Sequence, residues 1–417
     1  MSEPISLPLE KGSDLPHWLR GSLIRNGPAQ FTSAKRNVTF AYDGLAKLYK
    51  FEVRDGAVRY QERFLRTACF NLTREKGSFP KGPMMGPTEP PFSPFEPPGQ
   101  GTDNVNTQAW YLAGDKVGLA TTDSAVIGMF DPDTLDTVGM LNYPHHSPGD
   151  AILLSATHPH DLPGSGGRML VNVVSQLLGV GSHRLTVYKM GGDHVQIPFG
   201  SVSVPFMPYI HSFGVSEEYM LLAVYPLSFK ELCVLQFKPL IECLDWLEKN
   251  VSIFVFPFNG TKDSKPMLSV EAPSHFSMHH VNSFQDKDYF YLDVAAYNDG
   301  AVFKSKFIHG SLEVMQNPSE RNNVPQWGMY RRVRVERSSG AVDMVDFQLL
   351  DSEGMVYLFD FPFINPAYDA RKHCVMWAVS AYAGNSTEYA DWGVVRVDAC
   401  TKSKVNTVAW REPGLVP

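Results

Sequence analysis

Apolar residues recur along this chain in short alternating or continuous runs. Examples are Leu48–Val53, Trp110–Leu112, Val117–Thr121, Met169–Val174, Arg184–Met190, Tyr219–Val224, Tyr289–Val294, Met329–Val335 and Gly393–Val397. Turn-forming groups separate them, among them Arg54-Asp55-Gly56, Gly114-Asp115, Asp131-Pro132-Asp133, Gly191-Gly192-Asp193 and Asn298-Asp299-Gly300. Strand-length runs at this spacing predict antiparallel hairpins. Long amphipathic helices do not alternate with them, which argues against a parallel α/β fold. The pattern predicts an all-β chain, either a propeller or a large sandwich. No strict internal repeat decides between the two.

Two regions break the rhythm. From Gly77 to Gly101 proline and glycine dominate, and Pro90–Pro98 cannot form a ladder because proline has no N–H to give. This predicts a loop with apolar anchors that covers something. From Leu227 to Leu247, leucines 232, 235, 240, 244 and 247 recur at roughly helical spacing, interrupted by charges at Lys230, Glu231, Lys238, Glu242 and Asp245. Two readings stand: an amphipathic helix packed on the body, or a surface that dips into a bilayer interface.

Composition narrows the classes. The chain has 417 residues and 43% apolar side chains, enough for a core. Gly and Pro number 33 and 31 and are spread along the chain, as many turns require. Net charge is −7 with no basic stripe, so nothing is placed to neutralise phosphates and a nucleic-acid partner is not expected. No uncharged apolar stretch is long enough to span a bilayer as a helix, and Met1–Lys11 does not read as a signal or transit peptide. The five cysteines, 69, 233, 243, 374 and 400, are odd in number and far apart. They argue against a disulfide framework and for a reducing, cytoplasmic setting. Asn37, Asn71, Asn250, Asn259 and Asn385 begin N-x-S/T sequons, which mean little without a secretory route.

The most informative chemistry is histidine. Three segments carry it among small or apolar neighbours: Ser155–His160, Pro208–Gly214 and Ser277–Asn282. His158, His211 and His279 are 53 and 68 residues apart, too far for one helix or hairpin. Imidazole ligates divalent first-row metals, including iron, and propeller blades would bring such distant residues to one axis. His279 and His280 are adjacent, so on a strand only one can face that axis. The competing reading is three hydrogen-bonded core histidines. His145 and His146 lie in a Pro- and Gly-containing loop and read as exposed. Asp123 and Asp360 sit in apolar company and need partners. Each could orient a metal-bound imidazole or simply serve a turn or cap. No nucleophile elbow, P-loop or dinucleotide fingerprint is present, which leaves hydrolase, kinase and dehydrogenase readings without an anchor.

The chain resembles the carotenoid cleavage oxygenases, most of all the animal branch with the β-carotene oxygenases and the retinal-pigment-epithelium isomerase. The resemblance runs from about Leu15 to the last residue. It rests on Gly21–Pro28, Tyr42–Phe51, Arg63–Thr67, Thr102–Asn106, Asp131–Thr137, the three histidine segments in order, and Trp410–Pro413. It implies a single domain over 1–417, a seven-bladed β-propeller with a helical and loop cap, and ferrous iron (Fe2+) held by four histidines. His158, His211 and His279 match the first three ligands, and His160 and His280 the non-binding neighbours. Asp123 and Asp360 match supporting glutamates, one methylene shorter here, and Thr122 would face the iron's open side. Leu227–Leu247 falls in the region implied to touch membranes.

The implied reaction is cleavage of a double bond in a carotenoid or apocarotenoid by O2, giving retinal-type carbonyl products. After His373 the sequence contains no further histidine up to Pro417. The fourth ligand, a third supporting acid and the last part of the propeller are therefore expected to be missing, leaving open sheet edges. The alternative is a catalytically inactive relative that binds a carotenoid or retinoid. A retinoid isomerohydrolase ranks below both, because the Pro-Asp-Pro-Cys-Lys segment of that branch is absent.

Overall fold

In the computed structural model, the residues described are 4–9, 14–82, 84–99, 103–144, 151–179, 181–304, 311–313, 328–347, 349, 359–381, 392–400 and 404–411. The apolar runs become strands, and the turn groups become tight reversals. At Arg54-Asp55-Gly56, Asp55 and Gly56 take φ of 51° and 75°, the left-handed pair that a two-residue hairpin turn needs. The strand Tyr219–Val224 forms over the residues the pattern predicted and is buried on both faces, as its continuous apolar run requires.

Six antiparallel units, five of four strands and one of five, follow one another along the described chain. They contain, in order, the strands Gly21–Gln30, Gln108–Tyr111, Ala151–Ser155, Gly214–Val215, Phe276–Gln285 and Asp360–Ile364. These strands pack against one another from unit to unit: Gly21–Gln30 on Gln108–Tyr111, Gly214–Val215 on Phe276–Gln285, and the latter on Asp360–Ile364. They line a common centre, and the units are blades of a β-propeller. Apolar side chains fill the spaces between blades, with Phe199, Phe213, Phe256, Phe276, Phe290 and Phe359 fully buried.

Over one end lies a cap, and here the structure departs from the helical reading of Leu227–Leu247. The segment folds as a strand (Leu227–Phe229), two short helices (Glu231–Leu235 and Leu240–Cys243) and a second strand (Leu244–Trp246). Pro239 is the physical reason. It disfavours helix at Lys238 before it, and Phe237 turns left-handed with φ 54°. Leu232 and Leu235 point outward, 69% and 57% exposed. Among the described residues, no helix is long and apolar enough to cross a membrane.

The cysteine reading is also overturned. Cys233–Cys243 and Cys374–Cys400 are disulfides, with Cα atoms 5.4 and 5.0 Å apart. The first ties the two short helices together. The second joins the ends of the adjacent strands Val375–Ala381 and Trp392–Asp398. Cysteines far apart in sequence meet because antiparallel pairing brings those strand ends together. Cys69 is left as a buried thiol.

Candidate metal centre

The cap end of the inner strands collects the chemistry. His158 follows the inner strand of the third blade, His211 precedes that of the fourth, and His279 lies on that of the fifth. Their free ring nitrogens lie within 4.8 Å of one another. Backbone ties hold the first two in place, since the N–H groups of Thr157 and His158 both donate to the carbonyl of His211. His160 and His280 turn away. His160 bonds Asp369 and the Phe213 carbonyl, and His280 bonds the Tyr225 hydroxyl. His145 and His146 lie outside the described residues.

The second nitrogen of each central imidazole is engaged. His211 Nδ1 lies 2.8 Å from Asp123 Oδ2, and His279 Nδ1 lies 2.7 Å from Asp360 Oδ1. His158 Nδ1 faces Gln108 Oε1 in a short bond. Carboxylate and amide oxygens accept here, so each Nδ1 donates, and in the neutral imidazole that a metal ligand requires this leaves the lone pair on Nε2. In that neutral form His158 Nε2 and His211 Nε2, 3.0 Å apart, have no proton between them. Two lone pairs at that separation repel unless a cation sits between them. Imidazoles sharing one ion at about 2.1 Å each would bring their nitrogens this close. The donor set therefore fits a divalent metal ion. Burial first, then the neighbouring His211 and His279, push His158 well below its ordinary pKa, which keeps it neutral and available as a ligand.

The two aspartates are held in turn. Asp123 accepts from Thr157 Oγ1 at 2.5 Å and from Tyr209 Oη at 2.8 Å besides His211. Asp360 accepts from the Tyr297 hydroxyl and from the Phe361 N–H at 2.8 Å. Burial pushes the Asp360 carboxyl up, but attraction to His279 and these bonds outweigh it and hold it below its ordinary value. Supporting groups of this kind orient ligands and raise their basicity. Asp360→Ala is expected to weaken metal affinity about 10–100-fold, read by titration against a chelator of known affinity.

Gln108 plays the matching part for His158 and was not singled out from the sequence. An amide in a run of strand residues carries no signal until the blade register sets it opposite His158. Thr122 lies beside Asp123, bonds Thr107 Oγ1 at 2.9 Å and faces a cavity of about 330 Å3. His211 and His279 line that cavity. Leu154, Met207, Phe229 and Met278 form apolar walls, and Val234 and Leu240 of the cap helices cover it. Met85 also lines it, so the Pro-rich loop does cover something, docking through its own carbonyl to Ile241 N–H.

Asp43 is a polar member of the same cavity wall and accepts from the N–H groups of Met85 and Gly86 at 2.7 and 2.8 Å. Burial outweighs these bonds and pushes its pKa up to about 7 from 3.8. The folded chain then holds a proton that the unfolded chain releases. Its contribution to stability is complete below about pH 4 and is lost as pH rises through about 7. Thermal unfolding across that range should show the midpoint of Asp43→Asn falling less with pH than that of the parent.

The sequence model of the family described as retinal pigment epithelial membrane protein matches residues 1–417. The chain belongs to this family. A carotenoid isomerooxygenase of Galleria mellonella is 25% identical over 441 residues, covering 100% of this chain and 81% of that protein. A human β,β-carotene 15,15'-dioxygenase is 22% identical over 463 residues, covering 97% of this chain and 79% of its own. Among solved structures of the family fold, cobalt-substituted Synechocystis apocarotenoid oxygenase superposes with a TM-score of 0.70 at 17% identity, over 96% of this chain and 80% of that one. A chimera of that oxygenase with the retinal pigment epithelial protein gives 0.70 at 19% identity, over 96% and 78%. These likenesses carry the fold, and family membership is consistent with an enzyme.

Proposed function

We propose that this chain is an iron(II)-dependent dioxygenase that cleaves a double bond of a carotenoid or apocarotenoid with O2 to give carbonyl products, and that residues 1–417 act as one domain. The observation that carries the reading is the set of three convergent imidazoles, each backed by Gln108, Asp123 or Asp360, two of which, His211 and His279, line an apolar cavity. His158, His211 and His279 would hold the iron. When bound, iron supplies the redox chemistry with O2 that no side chain here can perform.

The chain's own residues do the rest. Leu154, Met207, Phe229 and Met278 offer a polyene an apolar surface and keep water out. Asp123 and Asp360 keep the ligating rings oriented and their Nδ1 atoms protonated. Thr122, on the cavity wall beside Asp123, would position what enters the open side. Leu232 and Leu235 face outward from the helices that roof the cavity, which supports a peripheral contact with a lipid surface where such substrates dissolve.

The test is to load the full chain anaerobically with Fe(II), measure bound iron, then add β-carotene or an apocarotenal with 18O2 and analyse the products. About one iron per chain and labelled aldehydes or ketones are expected. An iron-loaded protein that shifts polyene absorbance but forms no carbonyl would overturn the oxygenase reading in favour of a binding protein.

A further inference from the structure

The two disulfides change the meaning of the sequons. Four of the five cysteines meet in pairs, each at a separation of Cα atoms that a disulfide accepts. Such pairs persist in oxidising compartments and are rare where glutathione and thioredoxin keep thiols reduced. The exception, Cys69, is buried, and burial pushes its thiol up to about 12, which leaves it inert to exchange.

The four sequons within the described residues, at Asn37, Asn71, Asn250 and Asn259, all have an exposed asparagine. Asn259 is the best placed. It follows the strand Val251–Pro257 in a turn closed by Gly260 N–H to the Pro257 carbonyl, 3.2 Å. Pro257 pairs with Tyr219, while Val224 at the other end of the same ladder leads into the cap. Asn259 therefore lies at the end of its blade away from Leu232, Leu235 and the cavity roof. A bulky, hydrated group there would not obstruct the cavity or a lipid contact of the cap.

We propose that this chain matures in an oxidising, glycosylating compartment, where Cys233–Cys243 and Cys374–Cys400 close and the exposed sequon asparagines, Asn259 foremost, carry N-linked oligosaccharide. Each disulfide forms by exchange with a disulfide-bearing oxidant. Two thiols lose two protons and two electrons, and the oxidant's S–S bond becomes two thiols. In glycosylation, Asn Nδ2 bonds the anomeric carbon of a polyprenyl-diphosphate oligosaccharide. The anomeric C–O bond breaks, and the polyprenyl diphosphate leaves as the amide gives up a proton.

The test uses the full chain from its native source. Free thiols are alkylated in denaturant without reduction, and peptides are mapped with and without peptide-N-glycosidase in H2 18O. The expected result is two linked peptides, 233–243 and 374–400, alkylation at Cys69 alone, and 18O-labelled Asp in place of Asn259. Asn259→Gln should remove one glycan step from the electrophoretic mobility. Alkylation of all five cysteines, or bare asparagine at all four described sequons, overturns the proposal. Either result leaves the oxygenase reading untouched, since neither reads metal or product.

Discussion

His211→Ala is expected to lose bound metal and carotenoid cleavage together. Its Nε2 faces His158 Nε2 at 3.0 Å, and the three ring centroids stand 4.7, 5.1 and 5.4 Å apart, so it is one corner of a nearly equilateral triangle of ligands. Removing it leaves two donors and frees Asp123, which would keep Thr157 and Tyr209 as partners. Removing a supporting residue typically costs 10–100-fold in metal affinity. Loss of a ligand itself should exceed about 100-fold on that scale. Metal analysis after gel filtration, together with product formation from β-carotene, checks this. Retained iron and retained cleavage in the folded variant would sink the ligand assignment. His280→Ala is the contrast, because its ring bonds Tyr225 rather than the centre, and it should keep its metal.

The largest effect on stability is expected from Asp293→Ala. Asp293 lies on the strand Tyr289–Tyr297 directly opposite Arg332, with a side chain wholly buried. Arg332 donates from Nε and Nη2 to its two oxygens, both at 2.7 Å, and Tyr330 Oη donates to Oδ2 at 2.8 Å. A bidentate, hydrogen-bonded pair of this kind offsets the desolvation of both charges. Without the carboxylate, the Arg332 guanidinium stays behind uncompensated at 18% exposure. Breaking a buried pair from one side costs about 3–5 kcal/mol. Urea unfolding should show a lower midpoint with an unchanged slope. A loss under about 1 kcal/mol would mean that Arg332 reaches solvent in the variant and that the pair contributes no more than a surface bridge.

The strand pattern was legible because burial on two faces leaves continuous apolar runs and hairpins demand turn residues. The runs near Tyr219, Tyr289 and Met329 therefore sit where strands form. The cap was misread for a related reason. Leucine spacing in Leu227–Leu247 suits a helix, yet Pro239 interrupts it, and the pieces are held by tertiary contacts: Leu240 and Ile241 N–H donate to the carbonyls of Met84 and Met85. Periodicity reports one element's faces and says nothing of a loop from a distant blade.

The sequence by itself determined the all-β architecture, the three histidine segments and the two aspartates placed in apolar runs. These are local facts, written in alternation, turn chemistry and the cost of burying a charge. Only the tertiary structure decided which nitrogen of each imidazole is free, that Gln108 backs His158, and that four scattered cysteines pair. Each of these depends on the register between strands more than twenty residues apart or on the meeting of blades around an axis. Cys374 and Cys400 are separated by 26 residues yet have Cα atoms 5.0 Å apart. Gln108 and His158 are 50 residues apart and hydrogen-bonded. Such contacts arise from the closure of long loops, whose cost is repaid only by the assembled propeller, so no window of sequence contains them.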